Sequence, residues 1–146
     1  MKGKHKRNAH ILLADDDRDH LALVERWLKQ EGFDVTAADS GETALSVLEA
    51  RRPDLVVTDL VMGAIDGIRL LREIHLHDPV MPVIIMSGQA GIPEAVKATH
   101  LGACAFLTKP IERDALISEI HQTLTPRTGQ DDVSGNDEFA PKMVHR

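Results

Sequence analysis

The chain has 146 residues, a length typical of one domain with room for a real hydrophobic core. Hydrophobic residues make up 42% and aromatic residues only 3%, so the core must be built from Leu, Ile, Val and Ala. The formal net charge is -6, and the segment from Asn8 to Leu124 holds ten basic against nineteen acidic residues. Such an acidic body is a poor binder of nucleic acid by itself, which excludes direct nucleic-acid binding as its main role.

Cysteine content and hydropathy point to a soluble domain in the cytoplasm. The single Cys104 excludes an intramolecular disulfide and fits a reducing compartment. No stretch approaches the apolar length of a membrane span. The apolar run His10–Ala14 is too short for the core of a signal peptide.

Predicted strands and helices alternate along the chain with short connections. The predicted strands are short apolar runs: His10–Ala14, Asp34–Ala38, Leu55–Thr58, Val83–Met86 and Ala105–Thr108. The predicted helices carry apolar stripes or start and stop signals: Arg18–Glu31, Ser40–Arg51, Asp66–His77, Pro93–Leu101 and Ile111–Leu124. Five β/α repeats in order predict an α/β protein with a doubly wound parallel sheet, covered on both faces by helices.

The two ends of the chain lack this pattern. Residues 1–8 are basic and are predicted to be flexible. Residues 125–146 are rich in Gly, Asp, Pro and Ser, which is typical of a linker or a frayed end. We therefore expect one folded domain over residues 9–124.

Charged side chains stand at the carboxyl ends of three predicted strands. Asp15, Asp16 and Asp17 follow the first strand, Asp59 follows the third, and Lys109 follows the fifth. The carboxyl ends of parallel strands share one edge, where open α/β sheets bind ligands. Carboxylates brought that close repel one another, so the arrangement favours a bound divalent cation. The sequence predicts one ion and phosphate site at this edge.

Four segments in order, ILLADDD, VVTDLVMGAIDG, VIIMSG and FLTKP, each end a predicted strand. Together they resemble the receiver domain of bacterial two-component response regulators, over about residues 9–124. The resemblance implies a flavodoxin-like or CheY-like (βα)5 fold with a five-stranded sheet in the order 2-1-3-4-5. It also implies a partner, a sensor histidine kinase that donates a phosphoryl group from a phosphohistidine.

The resemblance assigns Asp59 as the phosphoacceptor, and an ionised, shielded carboxylate is a competent nucleophile toward phosphorus. It implies Mg2+ as the cofactor, with Asp16, Asp59 and the main-chain carbonyl of Val61 as direct ligands and Asp15 acting through a bound water. Mg2+ suits such a site because it keeps several waters and uses few carboxylates. Asp17 opens the next helix, where a capping role is favoured over a ligand role.

The remaining site residues are also implied by the resemblance. Lys109 would contact the phosphoryl oxygens and the acceptor carboxylate, and Lys109-Pro110 would be cis, which the sequence permits but does not demand. The Ser87 hydroxyl and the Gly88 amide would donate hydrogen bonds to the phosphoryl group. Ser87 and Phe106 would form the switch, the ring moving inward as the hydroxyl moves toward phosphate.

The output implied by the resemblance lies outside this chain. The stretch GIPEAVKATHLGACAFLTKPIERDAL is similar to receivers of NtrC-type activators, which precede an ATPase that works with the alternative sigma factor. The chain has no Gly-rich Walker loop and no helix-turn-helix, so any ATPase or DNA-binding function lies elsewhere. The alternative to such an activator is a receiver that acts without an attached output domain. The surface expected to change on phosphorylation comprises the predicted fourth and fifth helices and the fifth strand. A phosphorylation-dependent homodimer is one way in which that surface could act.

The chain departs from the common pattern of the family after Asp59. Met62-Gly63 stands where the family commonly has Met-Pro, and glycine leaves this loop more backbone freedom. Val61 and Gln89 occupy the positions that flank the path of the hydrolytic water in the family. Because Val61 cannot orient a water by hydrogen bonding, we predict a long-lived phosphoryl-aspartate.

Two other functions are compatible with parts of this sequence. Phosphatases of the haloacid dehalogenase type also use an aspartyl nucleophile on such a sheet, but they need a second Asp where this chain has Val61. A pseudo-receiver would serve only as an interaction module. The eight histidines form no cluster with the spacing of metal ligands, and we predict that they are solvated or packing residues.

Overall fold

Six parallel strands form one sheet in the computed structural model, which describes residues 8–88, residues 100–125 and the backbone of residues 142–144. The strands are β1 His10–Ala14, β2 Asp34–Ala38, β3 Leu55–Asp59, β4 Val83–Ser87, β5 Ala105–Thr108 and β6 Lys142–Val144. The helices within the described residues are α1 Arg18–Gln30, α2 Gly41–Ala50, α3 Gly67–His77 and α4 Arg113–Leu124. The helix predicted over Pro93–Leu101 falls almost entirely outside the described residues, as does Gln89.

The sheet order is β2-β1-β3-β4-β5-β6. The order expected for the first five strands is therefore confirmed, and all neighbouring strands pair in parallel. In register, Ala14 lies beside Thr58, Asp59 beside Met86, and Ser87 beside Thr108. This register aligns the carboxyl ends of β1, β3, β4 and β5 along one edge of the sheet.

The sixth strand was not predicted from the sequence. Lys142–Val144 pairs in parallel with β5, within a segment expected to be a linker or a frayed end. Three residues are too few to show a periodic pattern, and this strand is defined by its pairing with the outer edge of β5. An unpaired edge presents main-chain donors and acceptors that a passing extended segment can satisfy.

Side chains from the two faces of the sheet build two aliphatic core clusters. Leu12, Val56 and Ile85 point to one face, which α2 and α3 cover. The neighbouring positions Ile11 and Val57 point to the opposite face, which α1 and α4 cover. Successive side chains of a strand alternate between faces, so the near-continuous apolar runs of these strands are required for burial on both sides.

Polar side chains start three of the helices where the sequence predicts them. Asp17, Ser40 and Asp66 each accept a hydrogen bond from an amide in the first turn of α1, α2 and α3. Gly32 follows α1 with φ 94°, a left-handed conformation that favours glycine and ends the helix. The closing helix α4 begins at Arg113 rather than at the predicted Ile111, and Ile111 instead packs into the core.

His10 at the start of β1 predicts a pH dependence of stability. Its side chain is 3% exposed, and its Nε2 lies 2.8 Å from Thr36 Oγ1. Burial, together with the charge of Arg51, lowers the pKa of His10 below the ordinary value of 6.5. The folded state therefore disfavours the charged imidazolium. His10 contributes its full stability above pH 6.5, the ordinary pKa, and this contribution is lost as the pH falls through the lowered pKa of the folded state.

We therefore expect the free energy of unfolding to fall more steeply in wild type than in His10→Gln as the pH is lowered through 6.5. Urea unfolding at several pH values measures this dependence. His77→Gln, at an exposed position of α3, is the matched control. Equal pH slopes for the two variants would contradict a role for His10.

Candidate functional site

Three carboxylates converge at the carboxyl edge of the sheet. Asp15 and Asp16 follow β1, and Asp59 is the last residue of β3, the neighbouring strand. One carboxylate oxygen from each of the three lies within 4.8 Å of the others. Asp15 is fully buried, Asp59 is 6% exposed, and Asp16 faces solvent. The predicted convergence of these residues is confirmed.

Lys109 reaches the same cluster from the loop after β5. Its Nζ lies 2.9 Å from Asp59 Oδ1 and 4.0 Å from Asp15 Oδ2. The backbone amide of Lys109 donates to the carbonyl of Ser87, which ties this loop to the end of β4. The Lys109-Pro110 bond is cis, as the resemblance implied. One ammonium against three carboxylates leaves the cluster with excess negative charge.

The pKa values of the two buried carboxyl groups in the cluster are shifted in opposite directions. Burial, and then repulsion from Asp15 and Asp16, raises the pKa of Asp59, although Lys109 opposes the shift. Burial would also raise the pKa of Asp15, but hydrogen bonds from His20 and from the Asp17 amide outweigh it and lower the pKa. Asp15 is thus a well-compensated anion, while the charge on Asp59 is only partly compensated. A cation in the cluster would remove that imbalance.

His20 is a site residue that the sequence analysis missed. It lies in the first turn of α1, and its Nδ1 is 2.6 Å from Asp15 Oδ2. His20 was predicted to be a solvated or packing residue, because the histidines lack the spacing of metal ligands among themselves. Its place one turn into the helix that follows the acidic residues is the signal that points to it.

Asp17 does not belong to the carboxylate cluster found among the described residues. Its Oδ1 accepts hydrogen bonds from the amides of Asp19 and His20, at 3.1 and 3.2 Å. The predicted capping role of Asp17 is therefore confirmed. The negative charge also suits the positive end of the dipole of α1.

The predicted phosphate and switch residues lie along the same edge and next to it. Ser87 is the buried last residue of β4, beside Thr108 of β5. Gly88 follows it, and a Cβ built there would lie 3.5 Å from the Lys109 side chain, an ordinary contact distance. Phe106 is buried against the face of the sheet that α2 and α3 cover.

The loop after Asp59 combines an exposed and a buried side chain. Val61, whose carbonyl is a predicted metal ligand, has a side chain that is 65% exposed, while Met62 is buried. A Cβ built on Gly63 would meet nothing within 4 Å. Glycine is thus not required at position 63 by packing.

Gly67, also missed from the sequence, allows the start of α3 to pack against the backbone of Asp59. A Cβ on Gly67 would overlap the carbonyl oxygen of Asp59 and would lie 2.9 Å from Leu60 Cα. The Gly67 amide donates to the carbonyl of Leu60 at 2.8 Å. Only a residue without a side chain allows this approach, so Gly67 helps to position Asp59. Glycine is required at position 67 because of a tertiary contact. The sequence shows only an Asp-Gly pair, which does not reveal that contact.

The donor set fits a hard divalent cation. Three carboxylates offer oxygen atoms within 4.8 Å of one another, and oxygen ligands are those that Mg2+ and Ca2+ prefer. Burial and the neighbouring carboxylates raise the pKa of Asp59, so a cation in the cluster would favour its ionised form. The residues present therefore suit a metal ion at this site.

A carboxylate cluster with one lysine, at the carboxyl edge of a doubly wound parallel sheet, defines a class of domain that binds a cation together with an anionic group. Residues 11–121 match the family model described as the response regulator receiver domain, and the chain belongs to this family. Its role is that of a regulatory receiver domain.

Curated relatives and solved structures agree with this assignment. The chain is 46% identical over 116 residues to the transcriptional regulatory protein GlrR of Escherichia coli K12, covering 80% of this chain and 26% of the relative. It is 37% identical over 107 residues to the C4-dicarboxylate transport transcriptional regulatory protein DctD of Rhizobium meliloti strain 1021, covering 73% and 23%. The chain thus spans about a quarter of the length of these relatives.

Among solved structures, the receiver domain of NtrX from Brucella abortus is 35% identical with a TM-score of 0.75, covering 80% of this chain and 99% of that one. A CheY-like receiver domain from Methanospirillum hungatei JF-1 is 28% identical with a TM-score of 0.77, covering 80% and 94%. The predicted flavodoxin-like, CheY-like fold is confirmed. Among the described residues, no helix is long and apolar enough to cross a bilayer.

Proposed function

We propose that Asp59 accepts a phosphoryl group from the phosphohistidine of a sensor histidine kinase, with Mg2+ as cofactor. Asp16, Asp59 and the main-chain carbonyl of Val61 would hold the ion directly, and Asp15 would hold it through a water. The observation that carries this proposal is Lys109 Nζ at 2.9 Å from Asp59 Oδ1, within a cluster of three carboxylates. A buried acid with this surplus of negative charge is suited to accept an anion only when cations accompany it.

The reaction is a phosphoryl transfer in which one bond replaces another. A carboxylate oxygen of Asp59 attacks phosphorus, the P–N bond of the donor breaks, and the imidazole nitrogen takes the electron pair. Lys109 holds the acceptor carboxylate and then the phosphoryl oxygens. Mg2+ would supply the further positive charge that screens the approaching phosphoryl group from the carboxylates.

The phosphoryl group would change the surface of the domain through Ser87 and Phe106. The Ser87 hydroxyl and the Gly88 amide would donate to the phosphoryl oxygens at the end of β4. Phe106 would adjust in β5 when Ser87 moves, since β4 and β5 pair directly. A phosphoryl group adds about -1.5 to -2 charge, enough to bias an element with two arrangements. The affected surface is β5, α4 and the predicted helix over residues 93–101.

Control of transcription is the output we propose. The relatives cited are named transcriptional regulatory proteins, and this chain matches about a quarter of their length. The output domain would be an ATPase and DNA-binding unit of the NtrC type, working with the alternative sigma factor. A phosphorylation-dependent homodimer in the cytoplasm completes this proposal.

Labelling with a small phosphodonor tests the proposal. The purified chain with acetyl phosphate and Mg2+ should show a phosphorylated band on a phosphate-affinity gel, and EDTA or Asp59→Asn should abolish it. Asp114→Asn, at a highly exposed position of α4, is the matched control and should be labelled like wild type. Absence of Mg2+-dependent labelling would instead support a pseudo-receiver, and steady multiple-turnover release of phosphate from an ester would support a phosphatase.

Val61→Asn is expected to shorten the lifetime of the phosphoryl-aspartate. Val61 is largely exposed two residues after Asp59, and its side chain cannot position a water by hydrogen bonding. An amide there could orient the hydrolytic water, and we expect a several-fold faster loss of phosphate, within the range of one positioned group. The decay of labelled protein after removal of acetyl phosphate gives the rate. Decay of the variant at the wild-type rate would disprove the role of Val61.

A further inference from the structure

His20 and two aspartates form a closed ring of hydrogen bonds beside the metal site. The Asp17 amide donates to Asp15 Oδ1 at 2.9 Å. The His20 amide donates to Asp17 Oδ1 at 3.2 Å, and His20 Nδ1 contacts Asp15 Oδ2 at 2.6 Å. Each oxygen of the Asp15 carboxylate therefore has a donor from the start of α1, and the capping residue connects the two.

The ring fixes the orientation of a carboxylate that has little contact with water. Asp15 is fully buried, and the His20 side chain is only 19% exposed. Since the carboxylate accepts through Oδ2, His20 Nδ1 must carry the proton in this contact. Hydrogen bonds to the side chains around a metal ion fix their orientation, and loss of such bonds lowers the affinity for the metal.

The position of Lys109 links the orientation of Asp15 to Asp59, the proposed phosphoacceptor. Its Nζ lies 2.9 Å from Asp59 Oδ1. Asp15 Oδ2 lies farther from Nζ, at 4.0 Å, and is the same oxygen that His20 contacts. Without a donor from His20, this oxygen would be a buried anion with Lys109 as its nearest cation. Asp15 would then compete with Asp59 for the single ammonium of the cluster.

We propose that His20 is a positioning residue, which holds Asp15 for metal binding and leaves Lys109 to Asp59. This inference rests on the proposed function, because it assumes that the carboxylate cluster binds Mg2+. A hydrogen-bond donor at the place of Nδ1 is the property required, and an apolar side chain of similar size lacks it.

Titration calorimetry of the unphosphorylated full chain with MgCl2 tests the role of His20. We expect His20→Leu to weaken Mg2+ binding about tenfold, the lower end of the effect of losing such an outer contact. His20→Asn places an amide donor near the position of Nδ1 and should stay within about threefold of wild type. His77→Leu, at an exposed position of α3, is the control and should not change the affinity.

A second readout separates positioning from a general loss of structure. The rate of labelling by acetyl phosphate in His20→Leu should be reduced at limiting Mg2+ and should approach the wild-type rate at saturating Mg2+. If His20→Leu does not fold, the comparison of His20→Asn with His20→Ser, which cannot reach Asp15, serves in its place.

Equal or tighter Mg2+ binding by His20→Leu would overturn the inference while leaving the proposed function intact. Weakening of His20→Asn to the level of His20→Leu would also overturn it. Absence of Mg2+ binding by wild type would overturn both the inference and the proposed metal site.

Discussion

Asp59→Asn is expected to stabilise the metal-free domain while abolishing its phosphorylation. Burial raises the pKa of Asp59, and the neighbouring Asp15 and Asp16 raise it further. When the pKa of a group is higher in the folded state than in the unfolded state, the group stabilises the fold at a pH below its pKa in the unfolded state. This stabilisation is lost as the pH rises through the pKa in the folded state. At neutral pH the ionised Asp59 therefore destabilises the fold, and a neutral amide should raise the free energy of unfolding by on the order of 1 kcal/mol.

Urea unfolding in EDTA and in Mg2+ measures this effect. Wild type should gain stability from Mg2+ by mass action, about 2.7 kcal/mol at one hundred times the dissociation constant. Asp59→Asn should gain much less, because it lacks one ionised ligand. Asp114→Asn, at an exposed site, should follow wild type in both conditions. A metal-free Asp59→Asn domain less stable than wild type would show that the pair with Lys109 outweighs the repulsion.

Gly67→Ala is expected to reduce both stability and phosphorylation. The added Cβ would overlap the Asp59 carbonyl oxygen and press on Leu60 Cα. Backbone must then shift, because neither contact is the far end of a flexible side chain. Overpacking of this kind destabilises by about 1–3 kcal/mol. The shift would also displace Asp59 relative to Lys109. We expect labelling to slow at least tenfold, because misplacement of a reacting group by about 1 Å has effects of this size or larger.

Gly63→Ala is the matched control for this substitution. It lies in the same loop region, and its Cβ would meet nothing within 4 Å. Urea unfolding and the rate of acetyl phosphate labelling should therefore change little in Gly63→Ala. Similar losses in the two variants would mean that loop freedom, rather than the close approach of α3, determines the position of Asp59.

The sequence predicts the site because the fold brings strand ends together. Short apolar runs alternate with amphipathic helices, and this pattern is sufficient to predict a parallel sheet. Once the sheet is parallel, the carboxyl ends of β1, β3 and β5 must share an edge, so Asp15, Asp59 and Lys109 are predicted neighbours. The order of the strands came from the family resemblance, because periodicity alone does not fix it.

Features that depend on contact between elements are not determined by the local pattern alone, although the place of His20 in the turn after the acidic residues indicates a contact with them. Gly67 is required by a contact with the backbone of Asp59, and His20 acquires its role from the turn that places it over Asp15. Strand β6 is three residues long and is defined by its partner β5. In each case the local sequence is compatible with several environments, and the neighbouring element decides between them.

Direct mapping of the acyl phosphate is the most direct test of the central claim that Asp59 accepts the phosphoryl group. The chain would be phosphorylated with acetyl phosphate and Mg2+, reduced with borohydride, digested and sequenced by mass spectrometry. Borohydride converts an aspartyl phosphate to homoserine, so we predict homoserine at position 59 in wild type. Homoserine at another aspartate, or Asp59 unchanged while the chain is labelled, would contradict this account.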